Sequence, residues 1–304
     1  MSSKVKLPFG LNGIFTWLVF FGLTSISTFI VFYDVKLKKG YVKSLLISFI
    51  EIFLSNVSLL SRGFILNSTS LVVGVGFLLH PKELLQKKWD IVFVVGLYVT
   101  FFIFSVYGVN LLRSNYFNAT HRGTSQILIT DKAIRFANEN TKFLFIDRWV
   151  GIEGVLAISS NPHLGWGLFK QAVAEKYNDS GTSFYDNNIA VNSPYVNRDL
   201  QDNHFISLPG VIAFFFYSGS FILVFVAIFV FGVLAAFLEW VTFYFSGGNL
   251  IFCSLIGQVI AYRYIHFGYV PRQSYLLFGT ILINIFLFYF VDLILGIVKR
   301  RRVF

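Results

Sequence analysis

Residues 208–238 read LPGVIAFFFYSGSFILVFVAIFVFGVLAAFL, thirty-one positions without one charged side chain. A helix crosses a hydrocarbon core with roughly 20 apolar residues, so this stretch is long enough to span lipid. Working outward from it, six further apolar stretches lie at about 12–33, 43–60, 63–80, 90–112, 248–266 and 275–298. The chain has 304 residues, of which 56% are hydrophobic, 19% aromatic and 13% charged, with mean hydropathy +0.69. Such a composition excludes an ordinary soluble domain. The expected fold is therefore all-α, a polytopic transmembrane helical bundle of about seven spans. The second and third spans are interrupted by Glu51, Asn56, Arg62 and Asn67, which predicts tilted, broken or partly re-entrant helices. The start Met1-Ser2-Ser3-Lys4 precedes a span without a small-residue cleavage site and reads as an anchor.

Charge assigns an orientation. Lys36, Lys38, Lys39 and Lys43 follow the first span, Lys82, Lys87 and Lys88 the third, and Lys299 with Arg300, Arg301 and Arg302 the seventh. The positive-inside bias puts these clusters in the cytoplasm. Residues 113–207 and the turn at 267–274 then face outward, as does the N-terminus, against which Lys4 and Lys6 argue weakly. The formal net charge of +10 thus reflects membrane topology, and no nucleic-acid partner is expected. A single Cys253 permits no internal disulfide, and no Cys/His cluster has metal-ligand spacing, so neither a metal nor any other cofactor is expected.

Three regions follow: spans one to four over 1–112, an extracytoplasmic lobe over 113–207, and spans five to seven with a basic cytoplasmic tail over 208–304. The lobe carries nine Lys/Arg and nine Asp/Glu. Apolar residues three and four apart predict helices over Asp131–Phe145 and Asp147–Ser160, the second stopped at Asn161-Pro162. Gly181–Asn203, with Asn187-Asn188 and Ser193-Pro194, reads as loop.

Once the cytoplasmic and lobe cations and Lys4 and Lys6 are set aside, Arg62, Arg263 and Arg272 remain, all at the outer face. A guanidinium keeps its charge and offers a planar fork of donors, which suits phosphate; snorkelling to lipid headgroups is the alternative for each. Arg148 opens the amphipathic helix that ends before His163-Leu164-Gly165-Trp166-Gly167, where Gly165 and Gly167 let backbone approach a ligand. Asn203 and His204 stand just before the fifth span, which is expected to hold His204 at the membrane surface. Glu51, near the centre of span two, is expected to pair with an Asn or backbone group of a neighbouring span, or else to mark a polar path. Trp89, Tyr107, Trp240, Tyr244 and Tyr275 read as interfacial anchors.

The run Asp147-Arg148-Trp149-Val150-Gly151 through Ser160-Asn161-Pro162-His163-Leu164-Gly165-Trp166-Gly167 resembles the motif of bacterial O-antigen polymerases and O-antigen ligases. In that superfamily an Arg opens an outer-face helix and a Pro-x-x-Gly-x-Gly element closes it. Asn203-His204-Phe205-Ile206-Ser207-Leu208, running on to Tyr217-Ser218-Gly219, is similar to the family's His element, and Ser61-Arg62-Gly63-Phe64 to the upstream Arg element of the polymerase branch. Family members usually have more spans than seven. The resemblance implies metal-independent glycosyl transfer from a polyprenyl diphosphate-linked oligosaccharide to a sugar hydroxyl at the outer face of the bacterial cytoplasmic membrane. His204 would act as base, and Arg62, Arg148, Arg272 and Arg263 would bind diphosphate. Other polysaccharide-assembly proteins are implied partners. A lipid-glycan flippase, expected to show a polar path at midplane depth, and a non-catalytic assembly subunit are the competing readings.

Overall fold

A computed structural model of the chain describes residues 8, 11–59, 63, 65–79, 88–122, 152–175, 183–193, 209–266 and 274–301. Most of these residues are helical, with no strand among them. In chain order the helices are α1 (Leu11–Lys36), α2 (Val42–Ser58), α3 (Leu66–Leu78), α4 (Lys88–Arg122), α5 (Ile152–Ser159), α6 (Trp166–Val173), α7 (Phe184–Asn188), α8 (Gly210–Phe216), α9 (Phe221–Phe245), α10 (Leu250–Gln258, continued by a π-helical stretch Val259–His266) and α11 (Ser274–Arg301). Three stretches are long and apolar enough to cross a bilayer by length and composition: Leu11–Lys36, Lys88–Leu112 and Phe221–Phe245. Leu66–Leu78, Leu250–Tyr262 and Leu277–Val291 are apolar but shorter. At 1.5 Å per residue, a helix of the length of α3 covers only about 20 Å of a core roughly 30 Å thick.

The chain divides into two compact units. The first comprises Met1–Ala137, Leu238–Gln258 and Thr280–Phe304, the second Asn138–Phe237 and Val259–Gly279. In the first unit, α1 ends where Lys38 and Gly40 take positive φ, turning the chain into α2. Its core joins Val31, Leu45, Phe49, Ile52, Leu71 and Ile251, all fully buried. Asn249 caps α10, its Oδ1 accepting the Phe252 N–H at 3.1 Å. Gly74 of α3 meets α10 so closely that a Cβ there would lie 2.6 Å from Ile251 Cα. Phe29, Phe252 and Phe288 tie α1, α10 and α11 together, with the Phe29 and Phe288 rings stacked at 3.9 Å. Among the described residues Glu51 finds its partner on its own helix, where Ser55, one turn on, donates to its Oε1 at 2.9 Å.

The second unit corrects two expectations. The apolar run 208–238 is not one helix: α8 ends, Tyr217–Ser220 turn, and α9 begins at Phe221. Gly219 has φ +73°, a conformation that favours glycine. Ser218 Oγ accepts the Ser220 N–H at 3.2 Å, and Ser220 Oγ caps α9 by accepting the Leu223 N–H at 3.3 Å. The stretch read as loop over Gly181–Asn203 contains α7 and a 3₁₀ turn at Ala190–Asn192. Ser183 and Asp186 form a reciprocal capping box that starts α7. As expected, α5 stops before Asn161-Pro162.

Candidate functional site

The described part of the predicted site lies in the second unit, where Asn161–Gly167 meets the Tyr217–Gly219 turn. Helix α5 closes with Ser160 N–H on Leu156 C=O at 3.2 Å and Asn161 N–H on Ile158 C=O at 3.0 Å. Pro162 cannot extend this ladder, and Asn161 Oδ1 instead accepts the His163 N–H at 2.9 Å, turning the chain. Gly165 then donates its N–H to the Tyr217 carbonyl at 2.8 Å and stands as the N-cap of α6. Leu164 packs beneath, its Cβ 3.6 Å from where a Cβ on Gly219 would lie. Two stretches more than fifty residues apart are thereby joined through backbone.

A shared core supports the junction. Ala157, Ile158, Ala172, Tyr185, Ile189 and Tyr217 are buried together. Phe169 of α6 packs its ring 5.8 Å from both Phe214 and Phe215 of α8. Helices α5 and α8 touch through backbone, since a Cβ on Gly154 would strike the Pro209 carbonyl. Glu175 braces α7, its Oε1 accepting the Phe184 N–H at 2.6 Å. Burial pushes the Glu175 carboxyl above its ordinary range; the Phe184 hydrogen bond opposes this and the Asp186 charge adds to it.

The outer surface of the junction is open. Among the described residues nothing stands within 4 Å of a Cβ built on Gly165 or Gly167, so packing there requires neither glycine. Pro162, His163 and Gly167 are exposed. Trp166 is 56% exposed, held edge-on against Phe169 with centroids 5.7 Å apart. An exposed indole anchored on one edge offers a flat face to a ligand, and its only mark in the sequence is an aromatic residue between two glycines, away from any span end.

Arg62, Arg148, Asn203, His204 and Arg272 lie outside the described residues, as do Asp147, Asp202 and the predicted helix over Asp131–Phe145. Arg263 falls on the π-helical stretch Val259–His266, with its side chain outside the description. Of the predicted site residues, Gly165 and Gly167 are thus the two whose surroundings are described. Among the described residues no group of three or more His, Cys, Asp or Glu is placed to hold a metal ion. No family model matches the chain, and no curated protein or solved structure is significantly similar to it.

Proposed function

We propose that this chain is a membrane glycosyltransferase of the O-antigen polymerase type, working at the outer face of the bacterial cytoplasmic membrane. The supporting observation is the Gly165-to-Tyr217 hydrogen bond, which joins the Pro-x-x-Gly-x-Gly element to the turn that follows the His element. Arg148 stands six residues before Gly154, and His204 five before Pro209, the pair at which α5 and α8 touch.

In the proposed reaction the acceptor hydroxyl gives its proton to His204 as its oxygen attacks the anomeric carbon of the carrier-linked sugar. The bond from that carbon to the diphosphate oxygen breaks, and the polyprenyl diphosphate leaves with its electron pair, stabilised by Arg148, Arg62, Arg272 and Arg263. Gly165 and Gly167 leave the backbone open to the glycan, and Trp166 stacks on a sugar ring.

The test is glycan lengthening in vesicles supplied with a polyprenyl diphosphate-linked oligosaccharide. Arg148→Lys is expected to lower the rate about 100-fold while membrane insertion is unchanged, because an ammonium cannot copy bidentate contacts to phosphate. An unaltered rate would refute the assignment. A lipid-glycan flippase is the second reading, favoured by the buried hydroxyls and amides of the first unit. It predicts transfer across the bilayer with no new glycosidic bond.

A further inference from the structure

One face of α2 carries polar residues that glycosyl transfer leaves unused. Ser44, Ser48, Glu51 and Ser55 recur at spacings of four, three and four, which aligns them along one side of a helix. Ser44, Ser48 and Ser55 are buried. The row runs between a fully buried apolar face of Leu45, Phe49 and Ile52 and an exposed one of Ile47, Ile50 and Leu54. Asn56, also buried, lies off this row on the face of Leu45, Phe49 and Ile52.

Two of the three hydrogen bonds along the stripe end on carboxylates. Ser44 Oγ donates to Asp34 Oδ2 at the end of α1, and Ser55 Oγ donates to Glu51 Oε1 at 2.9 Å. Ser48 Oγ donates to the Ser44 carbonyl at 2.8 Å. Seven residues from the Asp34–Ser44 contact along the two helices stand Ser27 and Glu51. Glu51 Oε2 is buried and has no hydrogen-bond partner among the described residues. The ionisable groups on the elements packed against α2 are Tyr33, Asp34 and Lys36 on α1 and Lys88, Asp90, Tyr98, Tyr107, Arg113, Tyr116, His121 and Arg122 on α4, the side chains of the last four lying outside the description; α3 has none. Lys36, Lys88 and Asp90 stand at the helix ends that begin or close the connections, and Tyr98, beside Phe49, is occupied with Thr69. Among the described residues no cation stands along the stripe beside Glu51. A carboxylate without a cation in an apolar interior is far costlier than the neutral acid.

We propose that this stripe is a proton-binding path in which Asp34 is the mouth and Glu51 the carrier. A hydronium ion at the Asp34 end gives up its proton, an O–H bond forms on Glu51 Oε2, and water is left behind. No oxidant or reductant takes part. The ligand is the proton, and the path is independent of the glycan chemistry.

Infrared difference spectra of the full chain in lipid vesicles, recorded between acid and alkaline buffer, test the idea. A carboxylic-acid carbonyl band is expected to appear on acidification and to be missing in Glu51→Gln, whose side chain has nearly the same shape. Glu51→Asp, which keeps an acid, should restore a band at a shifted position. After a pH jump, Asp34→Asn should slow the Glu51 response about 100-fold, the lower end of what a positioned acid–base group contributes. A band that ignores pH, survives in Glu51→Gln, or responds at the wild-type rate in Asp34→Asn overturns the proposal.

Discussion

The two units hide different chemistry. In the first, Ser48, Asn56, Asn67, Ser68 and Ser70 are buried as deeply as Leu45 and Phe49. In the second, Ala157, Ile158, Ala172 and Ile189 fill the interior, and polar groups are tied into local turns: Ser183 with Asp186, Asn161 with His163 and Glu175 with Phe184. Helices in lipid gain nothing by hiding apolar surface from apolar tails, so small and polar residues bring them together. Where water is the solvent, apolar burial drives packing and a backbone must be satisfied turn by turn; the second unit combines such turns with most of α9, a helix apolar enough to cross a bilayer.

The sharpest way to break this comparison is through the two glycines at which backbones touch. A Cβ on Gly154 would strike the Pro209 carbonyl, and one on Gly74 would come within 2.6 Å of Ile251 Cα. Neither neighbour is a side chain that can swing away. Gly154→Ala and Gly74→Ala are each expected to cost about 1–3 kcal/mol, the usual penalty of overpacking. Hydrogen exchange locates the damage: faster exchange in α5 and α8 for Gly154→Ala, and in α3 and α10 for Gly74→Ala. Loosening of α3 by Gly154→Ala would show that the two cores are not separate. Gly165→Ala, with open space around its Cβ position, should leave both cores intact.

The same contrast explains what was legible in the sequence. Stretches set by apolar length, such as Leu11–Lys36 and Phe221–Phe245, stand out because a bilayer demands about 20 apolar residues in a row. Hydropathy is blind to a turn made of residues that are not charged, and it therefore ran α8 and α9 together. The signal was present in Tyr217-Ser218-Gly219-Ser220, where a glycine flanked by two serines interrupts the Phe-rich run. Likewise Ser183-x-x-Asp186 is a capping box that marks the start of α7, masked by the Asn and Asp around it, which score as loop. Glu51 was visible as a costly charge, but its partner Ser55 was not, since neighbouring spans were the expected source of donors. The Gly165-to-Tyr217 bond lies beyond any local pattern. It depends on two stretches meeting across the fold.

A smaller effect is expected where the second unit relies on turn chemistry. Ser183 accepts the Asp186 N–H at 3.1 Å, while Asp186 accepts the Ser183 N–H at 3.0 Å. Ser183→Ala removes the first bond and should cost about 1 kcal/mol. Exchange at the Asp186 amide should rise, and the Phe184 amide held by Glu175 should follow if α7 frays as a unit. Thermal denaturation of the second unit would move while that of the first stayed in place.

The weakest effect belongs to the first unit and sharpens the comparison most finely. Thr69 Oγ1 and Tyr98 OH share a hydrogen bond of 2.8 Å between α3 and α4. In water a buried bond of this kind is worth about 1 kcal/mol, and its loss leaves an unsatisfied group. Between helices in lipid the mean coupling is nearer 0.6 kcal/mol, because helices that separate find other partners. Tyr98→Phe and Thr69→Val, alone and together, form a cycle that isolates this coupling. A value near 0.6 kcal/mol would match helices associating inside a bilayer. A coupling several times larger would mean that the pair has no alternative partner when α3 and α4 part, as in a water-soluble core, and the contrast drawn between the two interiors would then fail at the contact where it is easiest to measure.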